Sequence, residues 1–264
     1  RSVENKSGMP DYLNTLDESV TALLIETSAK EKKDLQNNIE MISSSLENYT
    51  LVLPIEFTED PSEYSKLWNI RKGLFPSVGA MRKTGTTCII EDVAFPLDKL
   101  ADATIELQSL FSKYGYKEAI IFGHSLEGNL HFVFNQDFSE DKEVQRYKNF
   151  MDEVIKMTSG KYKGSLKAEH GTGRNMAPFV KYEWGEKAYS IMKKIKIIFY
   201  QDQILNPGVI LNSDQNIHIK KLKPLPASRE IVDKCIECGF CENDCPSRDL
   251  TLTPRQRITV FREI

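Results

Sequence analysis

Four of the chain's five cysteines fall inside eleven residues, as Cys235-x2-Cys238-x2-Cys241-x3-Cys245-Pro246. No other feature constrains the chain as tightly. A disulfide framework would spread its cysteines through a small secreted domain. Thiolates crowded onto one loop instead suit a soft metal or an iron–sulfur centre, which implies a reducing compartment. Two-residue gaps let such a loop wrap three sulfurs around one corner-sharing cube. A structural zinc knot is the alternative, although structural zinc usually takes two separated cysteine pairs. Cys88 sits alone in an apolar stretch and reads as a buried thiol.

The 264 residues leave room for one large core, or for a domain with an appendage. A formal net charge of -3 provides no basic face, so nucleic acid is not an expected partner. No apolar run is long enough to span a bilayer, and residues Arg1 to Pro10 lack a signal-peptide core. Both ends look cut. The chain opens at Arg1 and stops at Ile264, inside a helix with Thr253 as N-cap, Pro254 at its first position and no stop signal. The expectation is a fragment of a longer cytoplasmic protein, with any peripheral contact to the inner face of a membrane made by parts not present.

Apolar periodicity predicts strands at 21–27, 51–57 and Thr86–Phe95, and a pair at Ala119–Phe122 and Leu130–Phe134 turning at Gly128-Asn129. Helices are expected over Ala29–Leu46, from Pro61 through Arg71, and over Leu97–Tyr114, Asp141–Met157 and Tyr189–Tyr200. The order predicts an α+β domain, antiparallel sheet with helices on one face, built as a ferredoxin-like split unit in one copy or two. Residues 1–212 form that domain in this reading. A polar linker at 213–230 follows, with Pro224 and Pro226, and then the start of a small helical [4Fe–4S] module at 231–264.

Three of the four histidines sit in two glycine-containing segments. The first is Gly123-His124-Ser125-Leu126-Glu127-Gly128-Asn129-Leu130-His131, and a hairpin there would bring both imidazoles to one mouth. The second is Lys167-Ala168-Glu169-His170-Gly171-Thr172-Gly173-Arg174. Two imidazoles and a carboxylate make a three-ligand divalent metal site with open positions for a substrate. His218, in the polar linker, is given no role.

These segments, with Leu205-Asn206-Pro207-Gly208, resemble the C-terminal domain of FAD-linked oxidases. That family includes D-lactate dehydrogenases, D-2-hydroxyglutarate dehydrogenase and the glycolate oxidase flavin subunit. The resemblance covers roughly residues 20–212. The cysteine spacing is that of the bacterial ferredoxin run, and its fusion resembles the branch in which flavin and iron–sulfur parts share one polypeptide. One departure is Leu126-Glu127, where many members carry Gly-Asp.

The resemblance implies an FAD-dependent oxidation of a small 2-hydroxy acid, D-lactate first, then glycolate or D-2-hydroxyglutarate. His124, His131 and Glu169 match ligands of a divalent metal (Zn, Mn or Fe). His170 matches the base that takes the hydroxyl proton, and Arg71 the arginine that grips the carboxylate. Lys83, Arg82 and Arg174 are further candidates for the carboxylate. Asn129 and Asn206 match positions near the flavin ring. FAD would lie mainly on a missing N-terminal domain, since no phosphate-cradling loop is visible, and the fragment alone would be inactive. Cys235, Cys238 and Cys241 would hold one [4Fe–4S] cluster and Cys245 a second, completed by a downstream iron–sulfur domain. Electrons would leave for a quinone or a carrier protein. Two other classes stay open: a non-catalytic docking subunit, which would not need the Glu169-His170 pair, and a metal hydrolase, which would not need the cysteine run.

Overall fold

A computed structural model describes residues 16–17, 20–199, 202, 204–222 and 225–264. Arg1–Pro10, Tyr200 and Pro224, named above, lie outside them. The chain divides into two compact units, Arg1–Ser77 and Val78–Ile264.

In the first unit, α1 covers Lys32–Leu46 and α2 begins at Pro61, running to Ala80 across the division. Asp60 helps start α2, its carboxylate accepting from Ser62 N at 2.8 Å. The segments 21–27 and 51–57 are not strands. They carry no ladder, and Leu23, Leu24, Val52 and Leu53 stand exposed. Their composition suits a buried strand, but a strand needs a neighbour to take its N–H and C=O groups, and none pairs with them among the described residues.

The second unit is built on three strands: β1 (Thr86–Ala94), β2 (Ile120–His124) and β3 (Asn129–Asp137). All pair antiparallel in the order β1-β3-β2. Between β1 and β2 lies α3 (Leu100–Lys113), and after β3 comes α4 (Asp141–Ile155), which runs on into a π-helical turn at Lys156–Lys161. The chain then returns beside β1, where Ser165 bridges Ala94. The sheet thus has three strands where a complete split unit has four, and no second copy is present among the described residues.

Strand alternation divides the sheet into two unlike faces. One presents Val93, Leu130, Phe132 and Phe134 to Leu107 and Phe111 of α3 and to Phe150 and Val154 of α4. Phe132, Phe134 and Phe150 are fully buried, each worth roughly 1.5–3 kcal/mol of transfer free energy. That face anchors the sheet. The other presents Asp92, Asn129, His131 and His124, which share rungs of the ladder: Asp92 opposite His131, and Asn129 opposite both Ala94 and His124.

The remaining helices are α5 (Val180–Phe199), α6 (Glu230–Asp233) and α7 (Pro254–Glu263). Gly185 interrupts α5 at φ 77, ψ 168. Thr253 caps α7 in a reciprocal capping box with Gln256. Within 213–230, expected to be a polar linker, His218 is buried against Phe179 at 5.0 Å between ring centroids. Among the described residues no helix is long and apolar enough to cross a membrane.

Candidate metal and substrate site

The hairpin between β2 and β3 places the two imidazoles. Ser125–Glu127 forms a short 3-10 turn, and Gly128 closes it in the left-handed region at φ 64. A side chain at Gly128 would be doubly excluded, because its Cβ would lie 2.1 Å from the Phe95 carbonyl oxygen. That approach lets Phe95 N donate to Gly128 O at 2.9 Å and pins the hairpin tip to the end of β1. His124 and His131 then stand edge to face, 5.6 Å apart.

Glu169 meets them from the loop that follows the Ser165 bridge. Its Oε1 lies 2.6 Å from His131 Nε2 and 3.5 Å from His124 Nε2. Ligand atoms of all three lie within 4.8 Å of one another. His131 is 4% exposed, while His124 and Glu169 remain open to solvent. Burial lowers the His131 pKa, with Glu169 opposing, so the ring is held in the neutral form a metal ligand needs. His170 stacks on His131 at 4.8 Å and 13°. The donor set of two imidazoles and a carboxylate, open on one side, fits a divalent cation.

The glycine-rich loop is held by a residue that the sequence reading passed over. Asp92 is completely buried. Its Oδ2 accepts three successive backbone N–H groups, from Ala168 (3.0 Å), Glu169 (2.6 Å) and His170 (3.1 Å). Burial acts to raise its pKa, but those N–H donors, with His170 and Lys167, outweigh it and hold the carboxyl below the usual range. Beside it, buried Glu91 pairs with Lys167 and accepts from Asn175. Glu183 Oε1 accepts from Ser165 Oγ and Leu166 N, fixing the loop's entry. The available signal was Glu91-Asp92, two adjacent carboxylates inside an otherwise apolar strand.

Asn129 is buried, its Nδ2 3.4 Å from Val93 O and its Oδ1 without a hydrogen-bond partner. Asn206 occupies a turn at φ 45 after α5, its carbonyl accepting from Lys196 Nζ and Val209 N. Arg71 belongs to the first unit, half-buried on α2. Arg82, an alternative for the substrate carboxylate, is committed elsewhere. Its guanidinium donates to the carbonyls of Gly79, Thr86, Asp233, Lys234 and Cys235.

Arg82 therefore docks the start of the cysteine run onto the domain, joined by Arg262, which donates to Val232 O and Cys235 O. Gly79 is tight against the same turn, since a Cβ there would lie 2.4 Å from Ile236 Cγ2. The four cysteines are free thiols, with Cys238 and Cys241 exposed. Among the described residues no three of their sulfurs lie within 4.8 Å of one another. A hydrogen bond with Ser247 holds the Cys245 thiol below its ordinary pKa. Cys88 behaves differently: burial pushes its thiol up to about 11.

Comparison with known proteins gives the family. The model of FAD linked oxidases, C-terminal domain, matches residues 1–210. A probable mitochondrial D-2-hydroxyglutarate dehydrogenase of Oryza sativa subsp. indica is 31% identical over 193 residues, 72% of this chain and 32% of its own length. A mitochondrial D-lactate dehydrogenase (cytochrome) of Kluyveromyces lactis is 27% identical over 191 residues, 70% of this chain and 31% of its own. A D-2-hydroxyglutarate dehydrogenase of Haemophilus influenzae is 24% identical over 276 aligned positions, 91% of this chain and 26% of its own. A match that wide runs past residue 210 into the cysteine segment. The chain spans about a third of the length of the first of these relatives, or less.

Proposed function

The chain belongs to the FAD linked oxidases through their C-terminal domain, and on that premise we propose that it is the substrate half of an FAD-dependent D-2-hydroxyacid dehydrogenase. The observation that carries this reading is the convergence of His124, His131 and Glu169 beside His170. A divalent cation (Zn, Mn or Fe) held by the first three would lower the substrate hydroxyl pKa and polarise its C–O bond. His170 would take the hydroxyl proton as the substrate is oxidised to the 2-oxo acid, with bound FAD supplying the hydride acceptor. Arg71 supplies a planar fork for the substrate carboxylate. Asn129, with its side-chain oxygen without a hydrogen-bond partner, and Asn206 would face the flavin ring. FAD itself is held mainly by a part of the protein outside these 264 residues, a placement supported by the share of its relatives that the chain spans.

Cys235, Cys238 and Cys241 would hold one [4Fe–4S] cluster and Cys245 would serve a second, which together would supply an electron exit towards a quinone or carrier protein. Support comes from the spacing and from the docking of Cys235 by Arg82. We also read β1-α3-β2-β3-α4 as a ferredoxin-like split unit whose fourth strand is reduced to the Ser165 bridge.

The test is anaerobic flavin absorbance in the whole protein with paired D- and L-2-hydroxy acids. D-lactate, glycolate and D-2-hydroxyglutarate form the first panel, and bleaching by a D acid but not its L enantiomer is expected. If no hydroxy acid bleaches the flavin, the dehydrogenase reading is wrong.

A further inference from the structure

Two buried polar atoms beside the cluster have no hydrogen-bond partner, Asp92 Oδ1 and His131 Nδ1. Their residues face each other across β1 and β3, where side chains directly opposite share a face with Cβ atoms about 4.5–5.5 Å apart. Ligand-type atoms of Asp92, His131 and His170 lie within 4.8 Å of one another. An orphaned acceptor beside an orphaned ring nitrogen costs each the energy of an unmade bond, unless the ring changes tautomer.

The tautomer depends on Nε2. Here His131 Nε2 lies 2.6 Å from Glu169 Oε1, and a neutral ring carrying its proton on Nε2 would leave Nδ1 as a bare acceptor facing another acceptor. A cation engaging Nε2 takes that lone pair, and the neutral ring must then carry its proton on Nδ1. Donor and acceptor then match. Oδ1 also stands 3.4 Å from His170 Nδ1, and a carboxylate oxygen has lone pairs for both rings. A second cation at Asp92, His131 and His170 is the competing use of these atoms. Lys167 Nζ, 3.6 Å from Asp92 Oδ1, already supplies positive charge there and disfavours it.

We propose that Asp92 is the positioning residue of this centre. It presents Glu169 and His170 through their backbone N–H groups and receives His131 Nδ1–H once Nε2 is engaged. The inference rests on reading His124, His131 and Glu169 as cation ligands, and adds what fixes their geometry. Loss of such an outer carboxylate typically costs 10–100-fold in metal affinity.

The experiment is titration of the metal-stripped whole protein with Mn²⁺, a cation for which thiolates compete poorly, read by the electron paramagnetic resonance of free Mn²⁺. Asp92→Asn should bind about 10–100-fold more weakly than wild type while retaining its flavin. An Asp92 that serves only the fold would lower the melting temperature and leave the Mn²⁺ affinity of the folded protein unchanged, overturning the proposal. Should the variant fail to fold, crystals of the Mn²⁺-loaded wild type decide: a hydrogen bond between His131 Nδ1 and Asp92 Oδ1 supports it, and its absence overturns it. Wild type that binds no Mn²⁺ removes the metal reading itself, and this inference with it.

Discussion

The histidine cluster and the cysteine run are both small constellations of metal-ligating side chains, yet the polypeptide assembles only one of them. His124 and His131 are set by strand register and a left-handed glycine, and Glu169 by three backbone N–H groups gathered on Asp92. Every one of those constraints is made of protein. The cysteine run is held at its first turn by Arg82 and Arg262 and further along by Arg255, which meets Glu237 O and Glu242, and among the described residues no three of its sulfurs lie within 4.8 Å of one another. A site for a single ion can be pre-built by hydrogen bonds, whereas thiolates around an inorganic cube depend on the cube for their spacing. Under the proposed function the two constellations are separable halves, one for substrate chemistry and one for electron exit.

Breaking the exit half alone should give the largest effect. Cys238→Ser is expected to abolish electron delivery to an external acceptor in steady-state turnover, while substrate still bleaches the flavin anaerobically at the wild-type rate. Slow bleaching in that variant would merge the two halves. Breaking the substrate half gives the converse: His170→Ala should slow stopped-flow flavin reduction by about 10²–10⁴-fold with flavin content and iron–sulfur absorbance unchanged. Arg71→Lys keeps the charge but loses the fork. We expect KM for the 2-hydroxy acid to rise about 10–100-fold, equivalent to the roughly 1.5–3 kcal/mol of a charged hydrogen bond, and an unchanged KM would move the carboxylate grip to another residue.

The smallest effect concerns stability. His218 is buried with neither ring nitrogen hydrogen-bonded, and burial lowers its pKa despite nearby Asp152 and Asp214, with Lys148 adding to the shift. As pH falls through the unfolded value of about 6.5, the unfolded chain takes up a proton that the folded one resists, so stability present above that pH is lost below it. His218→Phe removes this contribution. Its melting temperature should fall less than that of wild type on acidification from about pH 7.5 to about pH 5.5, and parallel curves would show that His218 does not titrate in this way.

The sequence made His124, His131, Glu169, His170 and the cysteines conspicuous, because chemistry at a fixed spacing is a local signal. Asp92 was hidden for the opposite reason. Its partners are backbone groups 76–78 residues away, and nothing local separates a carboxylate that organises a loop from a solvent-facing interruption in a strand. The strands β1 and β3 were legible as apolar stretches, and α7 from Thr253 and Pro254. The segments 21–27 and 51–57 show the limit of that reasoning. Apolar composition reports that a segment could be buried in a sheet, while the partner it needs is a property of the whole fold. His218 fails similarly, a polar setting in sequence becoming a buried ring beside Phe179.

The most direct test of the division between the two halves is removal and return of the divalent cation in the whole protein. After chelation, substrate-driven flavin bleaching should be lost while FAD content and iron–sulfur absorbance hold, and one equivalent of cation per chain should restore it. Bleaching at the full rate in the chelated protein would contradict the account and place the chemistry away from His124, His131 and Glu169.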